Sequence, residues 1–314
     1  MKSALRLGLR LVITGACFAL WLSLTDLSLS ELRDAVAGIA PTAFAAAIAL
    51  SIVNFGVGAV RWRFALKAYG ASAVPPLRTL FRLYWVGFFF NTFVPANVGG
   101  DLLRAHATRD AFEGRTGAWI VVAVERLFGL CGLVLLASAL APTIAGVELP
   151  LWLAPLGVGA ALVAALGVGM LRRAASFAPG RLGTLLASIP RLASPRMLVG
   201  VLLCSIMTQA TVALSAHMLI ASLEPEVSVI TSVTFVPVAL LTLYLPTIAG
   251  LGARETAFVV LFGTVGVSDA SATAASLGLL IVQLVTALAG GLVLVATPKK
   301  DAPDADGAEP ASGN

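Results

Sequence analysis

Six apolar stretches, each near twenty residues long, recur along the chain at about 7–24, 41–60, 117–141, 151–171, 198–221 and 273–296. About twenty apolar residues in helical geometry match the ~30 Å hydrocarbon thickness of a bilayer. In lipid, a helix satisfies its own backbone donors and acceptors, which an irregular chain cannot do. A soluble core has no use for six such segments. The chain is therefore expected to be an all-α, polytopic membrane protein. Composition agrees, because charged residues make up only 12% of the chain, about half the share of a typical soluble domain.

Lys2, Arg6 and Arg10 precede the first stretch, a pattern that resembles a signal peptide. No A-x-A cleavage site follows, so the stretch is read as a retained first span. Cys17, Cys131 and Cys204 all fall in apolar segments, at spacings that fit no metal motif. They are expected to act as small buried hydrophobes.

Two further apolar segments are interrupted. Segment 79–112 breaks around Pro95-Ala96-Asn97-Val98-Gly99-Gly100, and segment 229–267 breaks around Pro246-Thr247-Ile248-Ala249-Gly250-Leu251-Gly252. Loop charge orients the whole. Arg61, Arg63, Lys67, Arg78 and Arg82 in 61–82, and Arg172, Arg173, Arg181, Arg191 and Arg196 in 172–196, have no acid among them. The loops bearing Asp26, Glu31 and Asp34, then Glu148, then Glu224 and Glu226, lean acidic. The positive-inside rule assigns the basic segments to the cytoplasm.

That assignment holds only if each broken segment enters and leaves on one side: the first from the basic side, the second from the acidic side. Six spans and two re-entrant hairpins then place both termini in the cytoplasm of a multi-pass protein of the cell (inner) membrane. An eight-span path is the simpler alternative, but it strands 172–196 or 222–228 on the wrong side. Residues 1–297 form the membrane domain, and the Asp-, Ala-, Pro- and Gly-rich stretch 298–314 is expected to be a disordered cytoplasmic tail.

The broken segments resemble each other. Pro95-x-x-x-Gly99-Gly100-Asp101-x-x-Arg104 stands against Pro246-x-x-x-Gly250-Leu251-Gly252-x-Arg254-Glu255. Opposite entry sides make this an inverted repeat, with 41–141 matching 198–296. Paired Gly/Pro-interrupted segments point to the central site of a transporter. The hairpin tips are assigned to Pro95, Gly99, Gly100, Pro246, Gly250 and Gly252. Helix starts just beyond them suit an anion.

Glu125 and Arg126 lie roughly 12 Å inside their span at 1.5 Å per residue. A charge near mid-bilayer costs at least about 2.5–3.5 kcal/mol and usually marks a pathway or a relay. Adjacent helical residues point about 100° apart, so these two need other partners. Glu125 is expected to meet Arg104 or Arg254, and Arg126 to meet Asp101 or Glu255. A purely structural ion-pair network is the alternative. Asn54, Gln209 and Gln283 are expected to hydrogen-bond between helices. His217 and His106 are read as structural, and the run Tyr84-Trp85 with Phe88-Phe89-Phe90 as packing or lipid-facing surface. No nucleophile–base triad, Walker loop, dinucleotide fingerprint or metal spacing occurs, so no catalytic residue, metal or cofactor is assigned. Nucleic acid is not an expected partner.

Arg61-Trp62-Arg63, Asn91-Thr92-Phe93-Val94-Pro95 through Gly99-Gly100-Asp101-Leu102-Leu103-Arg104-Ala105, Glu125-Arg126-Leu127-Phe128-Gly129, and Pro246 through Gly252-Ala253-Arg254-Glu255 resemble the lysylphosphatidylglycerol synthase transmembrane-region family. That family includes the membrane half of bacterial aminoacyl-phosphatidylglycerol synthase/flippases and many flippase-like proteins. The resemblance covers about residues 5–297 and implies translocation of a polar-headed phospho- or glycolipid between leaflets. No aminoacyl-transferase domain follows residue 300, so the chain is expected to be a transporter and not an enzyme. A lipid with an anionic or polar head group would be its ligand, bound by Asp101, Arg104, Glu125, Arg126, Arg254 and Glu255. A non-transporting subunit or scaffold for a lipid-modifying or glycosyltransferase partner is the alternative.

Overall fold

In the computed structural model, residues 12–296 are described, apart from 13–14, 18, 22, 26, 94–97, 113–115, 144–152 and 245–251. The expected tips at Pro95, Pro246 and Gly250, and the tail 298–314, therefore lie outside the described residues. What is described is helical, with no strand among it. After helical turns within 12–24 come α1 (Leu29–Gly38), α2 (Pro41–Ala68), α3 (Leu77–Phe93), α4 (Gly99–Ala107), α5 (Gly117–Leu140), α6 (Leu153–Ala174), α7 (Gly180–Ala187), α8 (Arg196–Ala221), α9 (Val229–Leu240), α10 (Ala253–Gly263) and α11 (Asp269–Ala296).

By length and composition, α2, α5, α8 and α11 are each able to cross a bilayer. They match four of the six expected spans. The 22-residue α6 occupies a fifth, and half of the sixth, 7–24, lies outside the described residues. Large apolar side chains such as Val53, Leu203, Leu288 and Leu292 face outward from the long helices. That surface suits lipid far better than water. The protein is a polytopic membrane protein.

One boundary differs from expectation. The apolar run of 41–60 stops at Arg61, but α2 continues to Ala68. No glycine or proline interrupts Trp62–Ala68, and Arg and Lys propagate a helix well. Arg61, Arg63 and Lys67 therefore ride on the last turns of α2 instead of in a loop.

Hydrogen bonds across the helix ends show which loops meet. Ala193 and Ser194 donate their backbone N–H groups to the Ala68 carbonyl, at 2.8 and 3.1 Å, so the two basic segments share one end of the bundle. The Ser72 N–H reaches the Ala111 carbonyl at 2.8 Å. The chain before α3 and the chain after α4 thus return to that same basic end. At the opposite, acidic end, Ser268 Oγ donates to Glu224 Oε1 at 3.2 Å. This contact joins the approach to α9 with the exit from α10. Each broken segment therefore enters and leaves at one end, and the two do so at opposite ends.

Three of the four arms of these hairpins are too short to cross alone. α4 has 9 residues, α9 has 12 and α10 has 11, against about 20 for a span. In the first hairpin, Gly100 lies against the Gly87 backbone, where any side chain on Gly100 would strike the Gly87 carbonyl. Asn91 Oδ1, on α3, accepts from the Gly100 N–H at 2.7 Å. It satisfies one of the orphan donors at the start of α4. The arms of the second hairpin meet through Phe235 and Phe262, edge to face at 5.4 Å.

The packing has an exchange symmetry. α2 runs against α8, α3 against α11, and α9 against α5; α5 packs on α8 as α11 packs on α2. Swapping α2–α5 with α8–α11 maps each of these contacts onto another, while the two sets run in opposite directions between the basic and acidic ends. Asn54 Nδ2 ties α2 to the Thr208 carbonyl of α8 at 2.8 Å, and Gln209 Nε2 reaches the Gly129 carbonyl of α5 at 3.2 Å.

Candidate functional site

The first hairpin carries a buried cluster of charges. Glu125, on α5, is 0% exposed. Its Oε2 accepts from Arg104 Nη1 of α4 at 2.7 Å. Its Oε1 accepts from Arg61 Nε of α2 at 2.8 Å and from the Tyr84 hydroxyl of α3. Arg104 also donates through Nη2 to Asp101 Oδ1 at 2.7 Å, one turn earlier on the same helix. The other Asp101 oxygen accepts from Arg126 Nε. Four helices thus converge on one network of Arg61, Tyr84, Asp101, Arg104, Glu125 and Arg126.

Aromatic rings wall this network. The Arg104 guanidinium sits 4.3 Å from the Tyr84 ring centroid and 4.9 Å from that of Trp62, within cation–π range. Gly58 makes room for Tyr84, because a Cβ there would meet the phenol ring. Arg61 Nη1 lies 3.4 Å from Ser205 Oγ and 3.3 Å from Thr208 Oγ1, which brings α8 to the same point. The Trp62 indole N–H is buried with no acceptor among the described residues. It lies on the ring that stacks with Arg104, where a buried polar group calls for a partner.

Among the described residues, three arginines meet two carboxylates in this cluster. Arg126 is its open edge, with a side chain 38% exposed, while Asp101 beside it is 9% exposed. Arg126 lies nine residues past Gly117, roughly 13 Å along α5 from the basic end.

The second hairpin holds a separate and smaller set. Gly252 has φ +79°, a conformation that favours glycine, and it caps α10. Its N–H donates to Glu255 Oε2 at 2.8 Å. Glu255 Oε1 accepts from Arg254 Nη2 and from Ser276 Oγ of α11, each at 2.9 Å. Arg254 Nε donates to the same Ser276 hydroxyl at 2.9 Å. Arg254 is 1% exposed and Glu255 4%. One cation balances one anion, and the carboxylate is fully occupied.

The six charged residues singled out from sequence therefore divide in two. Asp101, Arg104, Glu125 and Arg126 come together, with Gly99 and Gly100 at the start of the arm that carries two of them. Arg254 and Glu255 pair with each other, so Arg254 is not the partner of Glu125, nor Glu255 that of Arg126. Asp101 and Glu255 nevertheless hold corresponding places, each third from the start of its arm. Arg61 and Tyr84 were missed. The sequence reading places Arg61 in a loop and Tyr84 in a packing run, which holds for its neighbours: Trp85 Nε1 donates to the Thr286 carbonyl at 2.9 Å, and Phe88 packs on Phe55 at 5.0 Å. His217 is structural, with Nδ1 3.0 Å from Ser232 Oγ of α9. Among the described residues no group of three or more His, Cys, Asp or Glu side chains is placed to hold a metal ion.

Comparison with curated proteins gives no match. The family model described as the lysylphosphatidylglycerol synthase TM region matches residues 7–291, a stretch that contains both hairpins and every member of the two charge clusters. The chain belongs to the lysylphosphatidylglycerol synthase TM-region family.

Proposed function

We propose that this protein is a flippase that moves a lipid with an anionic head group between the leaflets of the bacterial inner membrane, without carrying out covalent chemistry on it. The observation that carries this reading is the buried convergence of Arg61, Arg104 and Arg126 on Asp101 and Glu125 at the start of a re-entrant arm, with the Arg126 side chain 38% exposed at its edge. A lipid phosphate is costly to bury unpaired in hydrocarbon, whereas the guanidiniums of this cluster could pair with it. Arginine suits this role because its planar fork matches two phosphate oxygens at once.

In the resting arrangement Asp101 holds Arg126, and Glu125 holds Arg104 and Arg61. An arriving phosphate takes Arg126 from Asp101 at the open edge, and the Trp62 N–H is an additional donor on the inner wall. The balanced Arg254–Glu255–Ser276 set fixes the second hairpin from the other side. The acyl chains remain in lipid, so only the head group crosses through protein. In this reading the basic end faces the cytoplasm by the positive-inside rule, and both termini are assigned to that side.

The test uses proteoliposomes that hold acyl-labelled phosphatidylglycerol or acyl-labelled phosphatidylcholine, with an impermeant quencher added outside. Faster exchange of the anionic lipid than in protein-free vesicles is the expected result. Rates equal to those of protein-free vesicles across anionic phospholipids and glycolipids would contradict transport. That outcome would leave the cluster as the core of a membrane subunit serving a lipid-modifying or glycosyltransferase partner.

A further inference from the structure

We propose that the groove between the end of α6 and α7, remote in sequence from both hairpins, is a binding site for an anionic phospholipid of the leaflet at the basic end. The groove has a volume of about 980 Å³ and is lined by Met170, Arg172, Arg173, Phe177, Arg191 and Leu192, among others. Its residues have two characters that seldom coincide on a water-facing surface. Phe177 is 88% exposed and Met170 68%, yet exposed arginines stand beside them.

Position explains the combination. α6 is apolar until Arg172 and Arg173 close its last turn, so the groove opens where an apolar helix gives way to charge. The segment beyond α7 is tied to the end of α2 by the bonds of Ala193 and Ser194 to the Ala68 carbonyl. The groove therefore sits at the basic end of the bundle, near the end of α2. Thr116 Oγ1, donating to the Ser188 carbonyl at 3.1 Å, joins it to the start of α5.

The three arginines have different tasks. Arg172 Nη1 donates to the Ala187 carbonyl at 2.9 Å and to the Ile189 carbonyl. It satisfies acceptors left at the end of α7 and fixes the groove wall. Arg173 and Arg191 are exposed and take part in no ion pair among the described residues. No acidic residue occurs between Glu148 and Glu224, so nothing nearby in sequence neutralises them. A ligand that fits must carry negative charge for Arg173 and Arg191 and apolar chains for Met170 and Phe177. A membrane phospholipid with an anionic head group carries both, and a soluble anion carries only the first.

The experiment uses the full chain in mixed micelles with photoactivatable phosphatidylglycerol, with cross-links mapped by peptide mass spectrometry. Cross-links are expected within 169–192. A basic residue near an anionic lipid surface contributes about fivefold in affinity. The R173A/R191A double variant should therefore need about 25-fold more lipid for half-maximal labelling there, with an unchanged unfolding midpoint. The R173K/R191K variant should recover most of the labelling. Equal labelling by photoactivatable phosphatidylcholine, unchanged labelling of the alanine variant, or full competition by millimolar inorganic phosphate would each overturn the proposal. R126Q should leave labelling at 169–192 intact, so this site stands or falls apart from the transport reading.

Discussion

Arg104 bridges two carboxylates, donating to Glu125 Oε2 and to Asp101 Oδ1, each at 2.7 Å. One guanidinium thus couples the long helix α5 to the start of the re-entrant arm α4. Breaking such a buried pair from one side typically costs about 3–5 kcal/mol. Glu125→Gln should destabilise the protein by about that amount in denaturant unfolding in detergent. In double-mutant cycles it should couple to Arg104→Gln and to Arg61→Gln by about 0.5–3 kcal/mol. With Arg254→Gln, which shares none of its partners, it should add within about 0.5 kcal/mol. Strong coupling of Glu125 to Arg254 would contradict the division into two clusters.

Tyr84 donates to Glu125 Oε1 and accepts from Arg61 Nη2 at 3.1 Å. Hydrogen bonds to charged groups contribute about 1.5–3 kcal/mol, so Tyr84→Phe should lower stability by that order while keeping the ring over Arg104. Gly58→Ala should act on the same ring by displacing it. The two changes together should cost less than their sum, and simple additivity would show that Gly58 acts elsewhere.

The hairpin depends on a backbone contact that a side chain would block. A Cβ on Gly100 would strike the Gly87 carbonyl, whereas a Cβ on Gly87 would lie 3.3 Å from Gly100 Cα. Gly100→Ala should therefore destabilise by about 1–3 kcal/mol or more, and Gly87→Ala by less, in unfolding of the purified protein. The reverse order would argue against close packing of α3 and α4 at this point.

Much of this architecture was legible because bilayer thickness and loop charge act on composition alone. The apolar runs mark α2, α5, α6, α8 and α11, and the basic and acidic loops imply the two hairpins that the end-to-end hydrogen bonds now tie down. The pairing of Asp101, Arg104, Glu125 and Arg126 was also foreseeable, since mid-span charges must find one another. Arg61 was not, because an apolar window ends wherever a charge appears, although the helix itself continues. Tyr84 was hidden among aromatic neighbours whose packing role is ordinary. Its importance comes from the space left by Gly58, on a different helix. The separation of Arg254 and Glu255 from the first cluster depends on depth and helix rotation, and a short motif match carries neither.

Glu31 offers a pH-dependent handle outside the spans. Its carboxylate accepts from the Ser28 N–H at 2.8 Å and from the Ser28 hydroxyl at 2.7 Å, capping α1. The backbone bond from Ser28, then its side-chain bond, hold Glu31 below the usual carboxylate value of 4.5. A lowered folded value means that the cap contributes fully above about pH 4.5 and is lost as the pH falls through the folded value. Hydrogen exchange in α1, corrected for intrinsic rates, should show fraying in that acidic window. Glu31→Gln should remove the dependence, and unchanged protection through the window in the wild type would count against the cap.

The central claim is that Arg126, at the open edge of the first cluster, holds an anionic head group in transit. Its most direct test is the rate of acyl-labelled phosphatidylglycerol exchange in proteoliposomes that contain wild type or Arg126→Gln. Asp101 keeps Arg104 as a partner, so the variant should fold, with its unfolding midpoint lowered less than that of Glu125→Gln. The loss of one charge-assisted contact of about 1.5–3 kcal/mol should slow exchange roughly 10- to 100-fold. Wild-type exchange of phosphatidylglycerol by a folded Arg126→Gln protein would contradict the claim.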